Sequence, residues 1–191
     1  MRIKMIDVVK LTAVLLQLED VLENLSGEGQ LEGEQQEKAE ADKKLLLRCA
    51  NLVVEEVAAE YLPLKATELL SSDDGNIEYS VFSRRPIEIY SVRKKGSKCR
   101  YKMYPTKLIT EAGEVEVCFS YVPQSVGIDE ELDFAEGKLT PRVLAYGTAA
   151  EYCLVNCLHE EAWVWDKRYK DSLFGALRAG RAVRIPARRW S

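Results

Sequence analysis

Cys153 and Cys157, with His159 two positions on, are the residues of this sequence that come nearest to a reactive set. On a helix, a spacing of four puts both sulfurs on one face. A cysteine nucleophile needs a base, and His159 is the only histidine in the chain. It falls near the junction of two helices beside Glu160 and Glu161, where capping of a helix C-terminus by a partly cationic imidazole accounts for it without chemistry. A metal site would need more ligands than this pair and one histidine, and no CxxC is present. The five cysteines (Cys49, Cys99, Cys118, Cys153 and Cys157) are an odd set without the clustered spacing of a disulfide framework. They read as small buried hydrophobes of a chain kept in a reducing compartment. Neither GxxxxGK[ST] nor a GxGxxG after a strand occurs, so no phosphate cradle is expected. The expectation is a non-enzyme with no catalytic residue, metal or cofactor.

Two basic features carry more information. Arg93-Lys94-Lys95-Gly96-Ser97-Lys98, followed by Arg100 and Lys102, sits beside Tyr101 and Tyr104. Basic residues interleaved with aromatics can bind single-stranded nucleic acid, but such a patch is more often a solvated hairpin tip, or it meets an acidic neighbouring chain or tail component through Lys94, Lys95 and Lys98. At the C-terminus Arg181, Arg184, Ile185, Arg188, Arg189 and Trp190 combine charge with apolar anchors. Arg and Trp are the residue types enriched where protein interfaces are held, so these six are the candidate partner-binding residues.

The elements that must position these residues follow from periodicity. Val8, Leu11, Leu15, Leu18, Leu22 and Leu25 recur every three or four residues, predicting one amphipathic helix over 7–25. The segment 26–37 is an acidic, glycine-containing loop. A second helix is predicted over about 40–62, with a stripe wide enough for contact on two sides and Pro63 just beyond its end. From 71 the period falls to two: three to five short strands are expected, with a hairpin at Lys94–Ser97. Residues 123–138 read as a connection with an acidic run. Thr140 and Pro141 open a third helix, rich in small residues that permit close helix approach. A fourth runs from Glu161 to about Arg178. The expected fold is therefore α+β: an antiparallel bundle of about four helices, with a small antiparallel β-sheet inserted between the second and third long helices and an extended C-terminal arm. The corresponding divisions are 1–70 and 124–178 for the two parts of the bundle, 71–123 for the β insert and 179–191 for the basic arm.

Composition fits a globular chain, with 47% hydrophobic and 30% charged residues among 191. No stretch approaches the roughly 20 apolar residues of a membrane span, and the N-terminus reads as an amphipathic helix, not as a signal peptide. Five arginines and no acid in the last fourteen residues, against a net charge of −4, leave the preceding chain at −9. An acidic body with a basic tail argues against general nucleic-acid binding and for a separate partner of the tail.

The stretch from Phe119 to Gly180 resembles the second half of tailed-bacteriophage head–tail adaptor proteins of the tail tubular "gatekeeper" type. The resemblance lies in a V-x-V-x-Y/F strand, here Val115-x-Val117-x-Phe119, leading to Pro123, an acidic segment, a helix opening at Pro141, and Trp165, Tyr169, Leu173 and Ala176 on the last helix. It implies a ring, usually of twelve copies, docked under the portal of a DNA-filled capsid, made in the host bacterial cytoplasm and located at the virion's head–tail interface. The implied partners are other copies of the chain, the portal protein and downstream tail or stopper proteins. DNA would pass through without sequence-specific binding, and no membrane is involved. An acidic body would let DNA slide. The small-residue helix and the wide stripe of the second helix would suit packing between neighbours. The alternative expectation is a nucleic-acid-binding or regulatory module using the 93–102 hairpin and the tail.

Overall fold

The computed structural model describes residues 2–27, 32–123, 125–134 and 139–178. Its chain forms two compact units. The helical unit comprises 1–53, 127–132 and 136–191, and the β unit comprises 54–126 and 133–135.

In the helical unit, strand β1 (Arg2–Lys4) leads directly into helix α1 (Met5–Leu15), which is followed by α2 (Glu19–Ser26) and α3 (Glu34–Glu56). The single helix expected over 7–25 is thus two. The break is a Schellman turn: Gln17 takes a left-handed φ of 57°, Leu18 N–H donates to the Ala13 carbonyl at 2.9 Å and Gln17 N–H to that of Val14 at 3.3 Å. A side chain in that conformation costs about 1–2 kcal/mol, so the turn is held by what surrounds it. Val9, Ala13 and Val21, from both sides of the break, share one core cluster with Leu46, Cys49 and Tyr152. A straight helix could not bury the two segments in the same place.

Pro141 sits at the start of α4 (Pro141–Val155), with Thr140 in extended backbone before it but with no hydrogen bond from its side chain. Helix α5 (His159–Arg178) follows after a second Schellman turn, in which Cys157 is left-handed at φ 59° and Leu158 N–H donates to the Cys153 carbonyl at 2.8 Å. The small residues of α4 are consumed inside this unit. Ala145, Gly147, Thr148, Ala149 and Ala150 are all buried. A Cβ on Gly147 would lie 2.8 Å from Cγ1 of Val53 on α3 and 3.1 Å from the Tyr169 ring on α5. Val53 is β-branched and 2% exposed, so it has little room to move. Gly147→Ala should therefore lower the urea midpoint by the equivalent of about 1–2 kcal/mol, the crowding outweighing the gain in helix propensity. Unchanged stability would show that α3 and α5 shift freely around α4.

The acidic connection expected over 123–138 contains a strand. β9 (Glu131–Asp133) pairs with β1 and buries Leu132 beside Ile3, while Arg2 and Lys4 approach Glu131 at 3.8 and 3.7 Å.

In the β unit, a single π-helical turn (Val57–Tyr61) continues α3, and β2 (Leu64–Ser72) begins immediately after Pro63. The strands β3 (Asn76–Glu78), β4 (Pro86–Lys94), β5 (Ser97–Lys98), β6 (Lys102–Met103), β7 (Lys107–Ile109) and β8 (Gly113–Tyr121) complete it. They form two antiparallel sheets, ordered β2-β8-β4-β5 and β3-β7-β6. Val115, Val117 and Phe119 of β8, with Leu70, Ile89 and Val92, close one core with Ile77 and Leu108 of the second sheet. The fold is α+β, but five helices and nine strands in three sheets stand among the described residues where a four-helix bundle with one small sheet was expected. The physical reason is that β2 and β8 pair across some forty residues, Leu64 against Tyr121 through Ser72 against Gly113. That pairing draws residues 64–70 out of the expected bundle and into a sheet.

Within this core Tyr79 stands 6.0 Å from Phe82, which meets Phe119 edge-on at 5.1 Å. The Tyr79 hydroxyl is buried with no hydrogen-bond partner among the described residues, and burial raises its pKa. Removing an unpaired buried oxygen relieves a desolvation cost. Tyr79→Phe should leave the structure unchanged and raise the thermal midpoint, by the equivalent of about 1 kcal/mol. A drop of that size would mean that the hydroxyl is satisfied in solution.

Candidate functional site

The predicted hairpin is present. Lys95 (φ 50°) and Gly96 (φ 82°) both take positive φ, as a type I′ turn requires, and Arg93 faces Lys98 while Lys94 faces Ser97. Its three lysines are not equivalent. Lys94 donates from Nζ to the Ala112 carbonyl at 2.7 Å and lies 4.0 Å from the Glu111 carboxylate, so it clamps the β7–β8 turn. Lys95 and Lys98 are exposed. The arm residues Arg181, Arg184, Ile185, Arg188, Arg189 and Trp190 lie outside the described residues.

The candidate reactive set is not assembled. Cys153 is buried inside α4 and burial raises its thiol pKa, with the Glu161 carboxylate adding to the shift; a nucleophile would need the opposite. Cys157 is exposed beyond the end of α4, in the left-handed turn, and does not continue the helical face of Cys153. His159 opens α5, at a helix N-terminus, so the C-terminal capping expected for it does not apply. Among the described residues no cluster of three His, Cys, Asp or Glu side chains could hold a metal ion, and no helix is long and apolar enough to cross a membrane.

What the fold does assemble is an apolar corner. Helix α5 turns Ala162, Tyr169 and Leu173 inward, at helical spacing. Trp163 and Val164 fall off that stripe, and Trp163 is 66% exposed. Leu154 and Val155 at the end of α4, and Leu158 in the turn, are exposed as well. Five exposed apolar side chains thus lie within residues 154–164. His159, Glu160, Trp163 and Val164 line a common shallow concavity, and Lys167 lies over the Trp163 ring at 5.7 Å. Sequence reasoning assigned Trp163 no exposed role. The signal available was phase: Ala162, Tyr169 and Leu173 make a complete inward stripe without it.

The β unit has its own exposed apolar side chains. Leu69, 69% exposed, stands opposite Glu116 on the face of β2 and β8 away from the core. Ile87 and Tyr90 fall where the pairing of β4 with β8 shifts register, and Tyr90 lies under the Lys65 ammonium at 4.8 Å.

No known family model matches the chain, and no curated protein matches it in sequence.

Proposed function

We propose that this protein is a structural virion subunit, a head–tail adaptor that forms a ring under the portal, extends the DNA channel and joins capsid to tail. The observation that carries this reading is the exposure of large apolar side chains on both units, at Trp163 and its neighbours in one and at Leu69 and Ile87 in the other. A closed ring of identical chains is heterologous: each copy meets its neighbours through two unlike surfaces. A chain that offers dissimilar apolar surfaces suits that arrangement better than a self-complementary dimer. The acidic charge of the chain before its last fourteen residues suits a channel along which DNA slides without being gripped. On this reading, Arg181, Arg184, Ile185, Arg188, Arg189 and Trp190 are the docking residues, and the exposed Lys95 and Lys98 of the hairpin face a neighbouring chain or the tail.

The test is the molar mass of the full chain by light scattering, alone and with portal rings from tailed phages. Multimers, or a monomer that becomes a ring on the portal, support the proposal. A chain that stays monomeric in every salt condition and ignores portals overturns it. Salt-sensitive DNA binding by that monomer, weakened by Lys95→Gln and Lys98→Gln, would place the function in the hairpin instead.

A further inference from the structure

The corner at the α4–α5 turn joins apolar area to negative charge. Leu154, Val155, Leu158, Trp163 and Val164 are exposed there, with the exposed carboxylates Glu160 and Glu161 in the first turn of α5. Exposed apolar side chains gathered in so short a segment and rimmed by charge suit an interaction surface; Lys167, over the Trp163 ring, sets one positive charge against the two carboxylates. The segment beyond Arg178 has the complementary chemistry. Residues 179–191 hold Arg181, Arg184, Arg188 and Arg189, no acid, and the apolar Val183, Ile185 and Trp190.

We infer that the corner is the receptor for residues 179–191 of a second copy of this chain. This inference rests on the ring reading and specifies one of its contacts. Charge, not length, argues for the second copy, since thirteen extended residues can span about 45 Å. Helix α5 has 20 residues and is about 30 Å long. The corner lies at its beginning and the arginine-rich segment leaves from its end. To reach its own corner the segment would have to run back past Lys167, Arg168, Lys170 and Arg178, which outnumber Asp166 and Asp171. Four arginines are repelled by that stretch of helix and attracted by the far turn. A neighbouring copy can deliver the segment to the acidic end without that passage. Each chain then gives one segment and receives one, a head-to-tail contact that closes into a ring.

The experiment uses two full-length variants and their mixture, with light scattering over a concentration series under conditions in which the unmodified chain assembles. One variant carries Glu160→Arg and Glu161→Arg, the other Arg188→Glu and Arg189→Glu. Each alone sets like charges against each other, so its assembly midpoint should rise at least about tenfold. In the mixture each arm meets a corner of opposite sign, and assembly should return to near the unmodified midpoint. Trp163→Ser, which keeps the acidic turn, should weaken assembly to a similar degree, with far-UV circular dichroism unchanged in all variants. Single variants that assemble normally overturn the inference and leave the ring reading standing. Variants that fail alone and are not rescued by mixing overturn it too, since an arm bound to its own chain gains nothing from a second one. An unmodified chain that never assembles, alone or on a portal, overturns both readings.

Discussion

Gly75→Ala should unfold the β unit at denaturant concentrations where the unmodified protein is intact, a loss of about 4 kcal/mol. Gly75 combines two demands. Its φ is +76°, in the region that side chains avoid, and an added Cβ would run into the Thr110 carbonyl oxygen. That oxygen is backbone and cannot rotate away. The Gly75 carbonyl also accepts a hydrogen bond from Thr110 N–H at 2.9 Å, so the turn joining β2 to β3 cannot withdraw without breaking a link to the residue after β7. The turn is further locked by Asp74, whose Oδ1 accepts the Asn76 N–H at 3.0 Å and whose Oδ2 accepts the Asn76 side-chain amide at 2.7 Å. Urea unfolding followed by circular dichroism measures the effect. A loss below about 1 kcal/mol would mean that the two sheets are not tied at this turn.

The second large effect is alkaline. The Tyr152 hydroxyl donates to Asp42 at 3.1 Å, and burial, then the Asp42 charge, raises its pKa to about 12. Burial, then the Glu151 charge, pushes the Cys49 thiol up to about 11. Both belong to the same core cluster and both hold their protons more tightly folded than unfolded. Stability is therefore complete below pH 9 and falls as pH climbs through 10 to 12, each group contributing on the order of 2 kcal/mol to the loss. Under reducing conditions, urea midpoints at pH 8, 10 and 11.5 should decline steeply. In Tyr152→Phe the decline should be roughly halved. A variant that declines in parallel with the unmodified chain would remove Tyr152 from the account.

Much of the local structure was legible because local chemistry decided it. Lys95-Gly96 dictates a tight hairpin, and Pro141 marks the start of α4. The Gly75 turn was visible in the cluster Ser71 to Asn76. What was not legible was decided by distant residues. Gln17 carries no glycine signal for a left-handed turn; it breaks the expected helix because Ala13 and Val21 share a core with Tyr152. The run Leu64 to Ser72 lacks the alternation of a strand, since Leu69 and Leu70 are adjacent, and its identity comes from pairing with β8. Helix α4 was recognisable as a close-packing helix, but its partners are α1, α3 and α5, where packing between neighbouring copies was expected. The hairpin cations were found, though the clamping of Lys94 by Ala112 depends on a strand that begins nearly twenty residues later. Trp163 at the exposed corner went unrecognised because an aromatic near a helical stripe looks like core until the stripe's phase is set by the residues it packs on.

The pairing of β1 with β9 has a consequence for synthesis. Once made, Arg2–Lys4 must wait for a partner strand about 130 positions later, a delay of roughly ten seconds at ordinary elongation rates. During that interval the β unit, nearly all one continuous stretch of chain, emerges whole, while the apolar face of α3 waits for α4. The protein should thus fold from its middle outward on the ribosome. The nascent chain is most exposed to chaperones and proteases just before α4 emerges.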